Sequence, residues 1–185
     1  MTIVPLFATP VLGVSEFITE EEQKNIYESV KKVNHLPHTS IKGNGTSSHK
    51  VNVDFLDKEI KDRIQSALDE YSDGYGCPDT KLDLIWSNIQ MKGSILNEHT
   101  HPNSLLSGAL YINAMNSDGL CFHNPNPYVY YTPKKKFSGY NNEWNVVPVS
   151  NRDLLIFPSW LKHGKNDFPS EMDDRVVVSF NASAK

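Results

Sequence analysis

Cysteine is scarce in this chain of 185 residues: Cys77 and Cys121 are the only two, and they stand in no metal-binding or redox spacing. A scaffold built on disulfides is thereby excluded, and reduced thiols in a cytoplasmic setting are expected. Long apolar runs are absent as well, and nothing approaches the ~20 consecutive apolar residues of a membrane span. Met1 to Val14 is partly apolar but has no basic n-region, which points away from a signal peptide. Positive charge is not in excess. Lys and Arg number 18 against 22 Asp and Glu, for a formal net charge of −4, and the pI is near 5.9. That balance poorly suits a protein that coats nucleic acid or an anionic membrane. Glycine and proline are near their ordinary usage, and no repeat, linker or low-complexity tract interrupts the chain. A single domain over residues 1–185 is expected, and a chain of this length buries roughly 70% of its unfolded surface.

What is present falls into two halves, a helical layer over 1–80 and a β core over 81–185. Thr19 and Glu22 form a capping box, followed by Ile26, Val30 and Val33 on one helix face. Leu56, Ile60, Ile64, Leu68 and Tyr71 mark a second helix that stops at Gly74 and Gly76. Each has one apolar stripe opposite charges, the pattern of a packing helix. Between them, Ser40 to Lys50 is rich in Gly, Ser, Thr and Asn and reads as a mobile loop. After residue 80 the helical period vanishes. Strands are predicted at Leu82 to Met91, Leu105 to Asn113, Gly119 to His123, Tyr128 to Thr132, Trp144 to Val149, Leu154 to Phe157 and Arg175 to Asn181. So many short strands imply a sandwich, jelly roll or barrel, with Asn124 to Asn142 as an excursion from it.

Seven histidines are the compositional feature with chemical reach. His99 and His101 are separated by one residue, so on a strand both imidazoles face the same side. Two such imidazoles suit a divalent metal, although an isolated H-x-H also arises as two ordinary loop histidines. Downstream, the apolar strand Leu154 to Phe157 ends at Pro158, and His163 follows. Arg175 then heads a strongly apolar strand on which it shares a face with Val177 and Ser179. Either this is an exposed strand end, or the guanidinium forks onto a ligand carboxylate.

In this order, the H-x-H pair, His163 and Arg175 resemble the Fe(II)- and 2-oxoglutarate-dependent oxygenase superfamily, and more narrowly the H-x-H 2OG-Fe(II) oxygenases of bacteria and phages. The resemblance runs along nearly the whole chain. It takes in Leu6-Phe7-Ala8-Thr9-Pro10, Trp86-Ser87-Asn88, His99-Thr100-His101-Pro102, Ser107-Gly108-Ala109-Leu110-Tyr111, Phe157-Pro158-Ser159-Trp160-Leu161 with His163, and Arg175 to Asn181. It implies a mainly β fold, a double-stranded β-helix (jelly roll, cupin-like) core with N-terminal packing helices and iron in its mouth. His99 and His163 match the two family histidines, and Arg175 matches the residue that pairs with the distal carboxylate of 2-oxoglutarate. Tyr111 stands where relatives place a tyrosine beside that carboxylate. Ser179 would lie on the same inward face, and Asn88 and Gln90 are candidates for the cofactor's other end. Most of the superfamily has Asp or Glu in place of His101, whereas the subfamily carries H-x-H. Either His101 is the third metal ligand, or it supports the site while a carboxylate comes from elsewhere, or the site is not catalytic in the usual way. His123 is an outside candidate, or a buried histidine satisfied by its neighbours.

The expected activity is hydroxylation of a substrate C–H bond with O2, releasing succinate and CO2. A cupin-like isomerase or non-oxoglutarate dioxygenase is the alternative, since Gly93 and His99-x-His101 fit half of a cupin motif. Leu105 and Leu106, however, occupy the place of its glutamate, and Arg175 has no role there. A non-catalytic module on the same fold is the third reading. Lys134 to Lys136 read as a solvated tip or an acidic-substrate contact, and Tyr128, Tyr130 and Tyr131 as packing or a substrate mouth. His35, His38 and His49 are expected to be exposed. The partner is a small-molecule or peptide substrate, with a homodimer compatible and no membrane involved.

Overall fold

Residues 6–51, 54–115, 118–165 and 168–185 are described by the structure, a computed structural model; the first five residues of the apolar opening segment lie outside them. The chain begins with strand β1 (Leu12–Val14) and helix α1 (Glu20–Lys32), then the short strands β2 (Leu36–Pro37), β3 (Ile41–Lys42) and β4 (Gly45–Ser47). Helix α2 (Lys58–Tyr75), β5 (Thr80–Gln90), β6 (Ile95–Leu96), β7 (Leu106–Asn113) and β8 (Gly119–His123) follow. The last elements are a 3-10 turn at Pro127–Tyr130, β9 (Trp144–Pro148), β10 (Leu154–Pro158), β11 (His163–Gly164) and β12 (Arg175–Ala184). Among the described residues no helix is long and apolar enough to cross a membrane.

Local chemistry explains both helix ends that the sequence announces. The Thr19 hydroxyl accepts from Glu22 N–H at 3.2 Å, and the Glu22 carboxylate accepts from Thr19 N–H at 2.8 Å, so two orphan donors of α1 are satisfied. Helix α2 stops where Gly76 enters the left-handed region at φ 75°, a conformation open to glycine at little steric expense.

The fold is a mainly β jelly roll with the two helices against one face. A seven-stranded antiparallel sheet runs β1-β10-β7-β12-β5-β4-β2. Along its central strands, alternation decides which side each residue serves. Val176, Val178, Phe180 and Ala182 of β12 join Leu106, Leu110, Ile112, Leu154 and Ile156 in a core that receives Ile26, Val30, Ile60, Ile64 and Leu68 from the helices. Each fully buried aliphatic there contributes roughly 1.5–3 kcal/mol. Gly108 makes room for this layer. A Cβ at that position would lie 2.1 Å from the Phe180 ring, which covers the strand from its paired position on β12.

The opposite face of the large sheet supplies Ala109, Tyr111, Leu155, Phe157 and Val177 to a second core with Leu120 and Phe122. Leu120 and Phe122 come from the small sheet β11-β8-β9. A cavity lies between these two sheets, walled by residues of both.

Two expectations are corrected. Tyr128 to Thr132 is not a strand. Asn126 accepts from Tyr128 N–H at 3.1 Å and Pro127 donates nothing, so the chain turns into a 3-10 helix from which Tyr128 and Tyr131 point to solvent. Ser40 to Lys50 is not a free loop either. Its strand β3 pairs with β6 and β4 pairs with β5, and this seats the segment over one end of the cavity. Of the lysine run, Lys134 is tucked against Glu143 at 2.8 Å, while Lys135 and Lys136 are exposed.

Candidate metal centre and anion pocket

The cavity has a volume of about 300 Å³, and His99, His101 and His163 are in its wall. His99 and His163 face each other across an antiparallel bridge, and His101 follows from the same strand-like segment as His99. One nitrogen from each ring lies within 4.8 Å of the others. Ring centroids are 4.5 Å apart for His99 and His163, and 5.0 Å for His101 with either.

The second nitrogen of each ring is engaged elsewhere. His99 Nδ1 lies 2.8 Å from the Asn97 carbonyl and His163 Nδ1 lies 2.8 Å from the Leu161 carbonyl. A carbonyl can only accept, so each Nδ1 carries the proton and Nε2 keeps its lone pair. His101 Nδ1 lies 2.6 Å from Asn181 Oδ1 and 2.9 Å from Ser107 Oγ, a hydroxyl that also contacts Ser159 at 2.7 Å. Burial lowers the pKa of all three imidazoles, to about 4 for His101 and about 3 for His163. At neutral pH the donor set is three uncharged imidazoles with fixed tautomers. That set fits a divalent first-row cation.

At the other side of the cavity Arg175 is 3% exposed. Its register places it opposite Gln90, whose Oε1 accepts from Arg175 Nη1 at 2.7 Å. Arg175 Nε donates to Asp118 Oδ2 at 2.9 Å, and Lys165 Nζ donates to Asp118 Oδ1 at 2.5 Å. Burial alone would raise the Asp118 carboxyl, but Arg175 and Lys165 outweigh it and hold the group below its ordinary value. The guanidinium sits 5.5 Å from the centroid of the Tyr111 ring. Burial pushes the Tyr111 phenol up to about 12, against the opposing pull of Arg175, so it stays protonated and able to donate.

The sequence-predicted residues therefore gather in one place. His99, His101, His163, Arg175, Tyr111, Ser179, Asn88 and Gln90 all line the cavity. Gln90 is committed to Arg175, and Asn88 donates to Ser179 at 3.1 Å. The exposed-strand-end reading of Arg175 is excluded by its burial. His123 is a satisfied histidine, 3.2 Å from Glu98, which also pairs with Lys162.

Three groups were not legible in the sequence. Asp118 lies on the connection between β7 and β8, and Asn181 and Ser107 reach His101 from two different strands. His38 and His49, expected to be exposed, line the cavity, and His38 is half-buried there. His49 is solvent-exposed, as expected, but its ring lies 4.9 Å from that of Trp86, which in turn lies 5.6 Å from His101. His35 is half-buried and bonds to Ser87 at 2.9 Å.

No sequence among curated proteins matches the chain. Solved structures do. HygX from Streptomyces hygroscopicus, crystallised with nickel and 2-oxoglutarate, superposes with a TM-score of 0.65 at 12% identity over 96% of this chain and 84% of its own. The viral collagen prolyl hydroxylase vCPH from Paramecium bursaria Chlorella virus-1, a 2-oxoglutarate complex, gives 0.61 at 13% identity over 95% and 96% of the two chains. SnoN, an α-ketoglutarate-dependent epimerase from nogalamycin biosynthesis, gives 0.65 at 13% identity over 95% and 77%. At such identities these likenesses establish the jelly-roll fold. The family follows from the sequence: residues 84–181 match the model described as "Putative 2OG-Fe(II) oxygenase", and the chain belongs to that family.

Proposed function

We propose that this chain is an Fe(II)- and 2-oxoglutarate-dependent dioxygenase that hydroxylates a C–H bond of its substrate, with His99, His101 and His163 as the metal ligands. The observation that carries the reading is the pairing, in one cavity, of three imidazoles whose Nδ1 atoms are bonded away from it with a buried arginine. Bound there, iron and 2-oxoglutarate would supply the oxidising chemistry, with O2 consumed and succinate and CO2 released.

The protein's own part is to bind, orient and exclude water. The Asn97 and Leu161 carbonyls and the Asn181 side chain keep the three rings turned with Nε2 inward. Arg175 binds the distal carboxylate of the cosubstrate, with the Tyr111 hydroxyl beside it. Gln90 turns the guanidinium instead of contacting the cosubstrate's other end, and Asn88 and Ser179 offer polar atoms along the wall. Leu120, Phe157 and Val177 make the adjoining wall apolar and limit water. His38, His49 and Trp86 form the rim that meets substrate. Among the described residues the lining holds no Asp or Glu, so an uncharged or anionic reacting group suits it better than an amine. Hydroxylation is favoured over a cupin-type isomerisation because the latter leaves the buried Arg175 without a task.

Anaerobic titration with Fe(II) and 2-oxoglutarate tests the reading through the weak visible charge-transfer band of the chelate. The band is expected, and Arg175→Ala should weaken 2-oxoglutarate binding without weakening Fe(II) binding. Absence of the band, together with unchanged 2-oxoglutarate affinity in the variant, would overturn it.

A further inference from the structure

Asp118 is 7% exposed and Lys165 is 6% exposed, and neither has a task in the proposed reaction. A buried ion cluster is costly to assemble and is not, as such, a source of stability. Its geometry is directional. Asp118 offers one oxygen to Lys165 Nζ and the other to Arg175 Nε, while Gln90 accepts from Nη1. Of the five N–H donors of a guanidinium, the one on Nε and one on Nη1 are thereby fixed, which sets the plane of the group. The same side chain lines the cavity. Two cations share one carboxylate, so the cluster carries one unit of positive charge in excess, matching one carboxylate of a ligand. Lys165 directly follows β11, and its N–H donates to the Leu96 carbonyl at 2.8 Å, so the cluster is tied to the strand that carries His163.

We propose that Asp118, with Lys165, positions Arg175 for the distal carboxylate of a 2-oxo dicarboxylate, and so sets the discrimination between such a cosubstrate and a 2-oxo monocarboxylate of the same length. The inference rests on the proposed function above. It separates two effects that are easily confused. If Asp118 acted only through its charge, removing that charge would strengthen the attraction for an anion. If it acts by orienting the guanidinium, its removal weakens binding, and only for ligands that have the distal carboxylate.

The test compares 2-oxoglutarate with 2-oxopentanoate, which lacks that group, by anaerobic titration of the Fe(II)-loaded full chain. Asp118→Asn should lose about tenfold in 2-oxoglutarate affinity while 2-oxopentanoate affinity is unchanged. Because that variant leaves Lys165 buried and unpaired, Asp118→Asn with Lys165→Met is the companion, in which the excess charge stays at one unit. The same selective loss is expected, with Fe(II) affinity retained as the sign of an intact site. Tighter binding, an equal loss for both ligands, retained preference, or loss of Fe(II) binding in both variants would overturn the inference. A wild-type protein without preference for 2-oxoglutarate over 2-oxopentanoate would instead remove the assigned role of Arg175, and this inference with it.

Discussion

His99 and His163 exchange both of their backbone hydrogen bonds, His99 N–H to the His163 carbonyl at 2.9 Å and His163 N–H to the His99 carbonyl at 3.0 Å. The pair is remote in sequence but is held at the spacing of one antiparallel bridge. The proposed iron site thus has a backbone origin, and its precision depends on how closely the two segments approach. Gly164 sets that approach. A Cβ there would lie 2.9 Å from the backbone of Asn97 and Glu98.

Gly164→Ala should therefore push β11 away from the His99 segment. A loss of about 1–3 kcal/mol in urea unfolding is expected, the usual range for overpacking. Fe(II) affinity should fall as well. By contrast Gly108→Ala, which strikes the Phe180 ring on the helix-facing side of the sheet, should destabilise the fold with Fe(II) affinity unchanged. Equal effects of the two variants on metal binding would contradict the assignment.

Removal of a metal ligand differs in degree from removal of a group that supports one. His99→Ala and His163→Ala should abolish measurable Fe(II) binding in a chelator competition assay. His101→Ala should weaken it sharply, and His101→Asp should restore much of it, since a carboxylate oxygen reaches the same metal position. Fe(II) retention at wild-type affinity by both His101 variants would exclude His101 as a ligand.

Asn181 and Ser107 hold the His101 ring from behind. Asn181→Ala should lower metal affinity by about 10–100-fold, the usual effect of removing a hydrogen bond that orients a ligating histidine. Circular dichroism should be unchanged. A wild-type metal affinity in this variant would show that Ser107 alone suffices.

The metal-free protein should lose stability in mild acid. Burial lowers His101 to about 4 and His163 to about 3, whereas the unfolded chain keeps both near the ordinary value of 6.5. Below that value the unfolded state takes up protons that the folded state refuses. The contribution is fully present above pH 6.5 and is lost progressively as the pH falls toward these lowered values, by about 1.4 kcal/mol per pH unit for each histidine. Urea midpoints at pH 7, 6 and 5 measure the slope, and His163→Leu should reduce it. A slope unaffected by that variant would refute the burial of His163 as its cause.

Much of the molecule is legible in the chain alone, because its signals are local. The capping box at Thr19 and Glu22, the alternation of Val176, Val178 and Phe180 against Arg175, Val177 and Ser179, and the H-x-H spacing each need only a few consecutive residues. Where the sequence misled, a local signal was overridden or missing. The Tyr128 segment has β-forming side chains, yet Asn126 and Pro127 turn it into a 3-10 helix. Ser40 to Lys50 has the composition of a loop, but sheet edges were available to pair with it.

The sequence by itself determined most of the elements, the family, and the residue types from which the proposed site is built. Tertiary structure decided their surroundings: that His163 meets His99, that Asn181 reaches His101, and that Asp118 stands between Lys165 and Arg175. Spacing along a chain reports which way a side chain points from its own strand. Which partner it finds across a sheet depends on register and closure, and those are set by the burial of the whole apolar face at once.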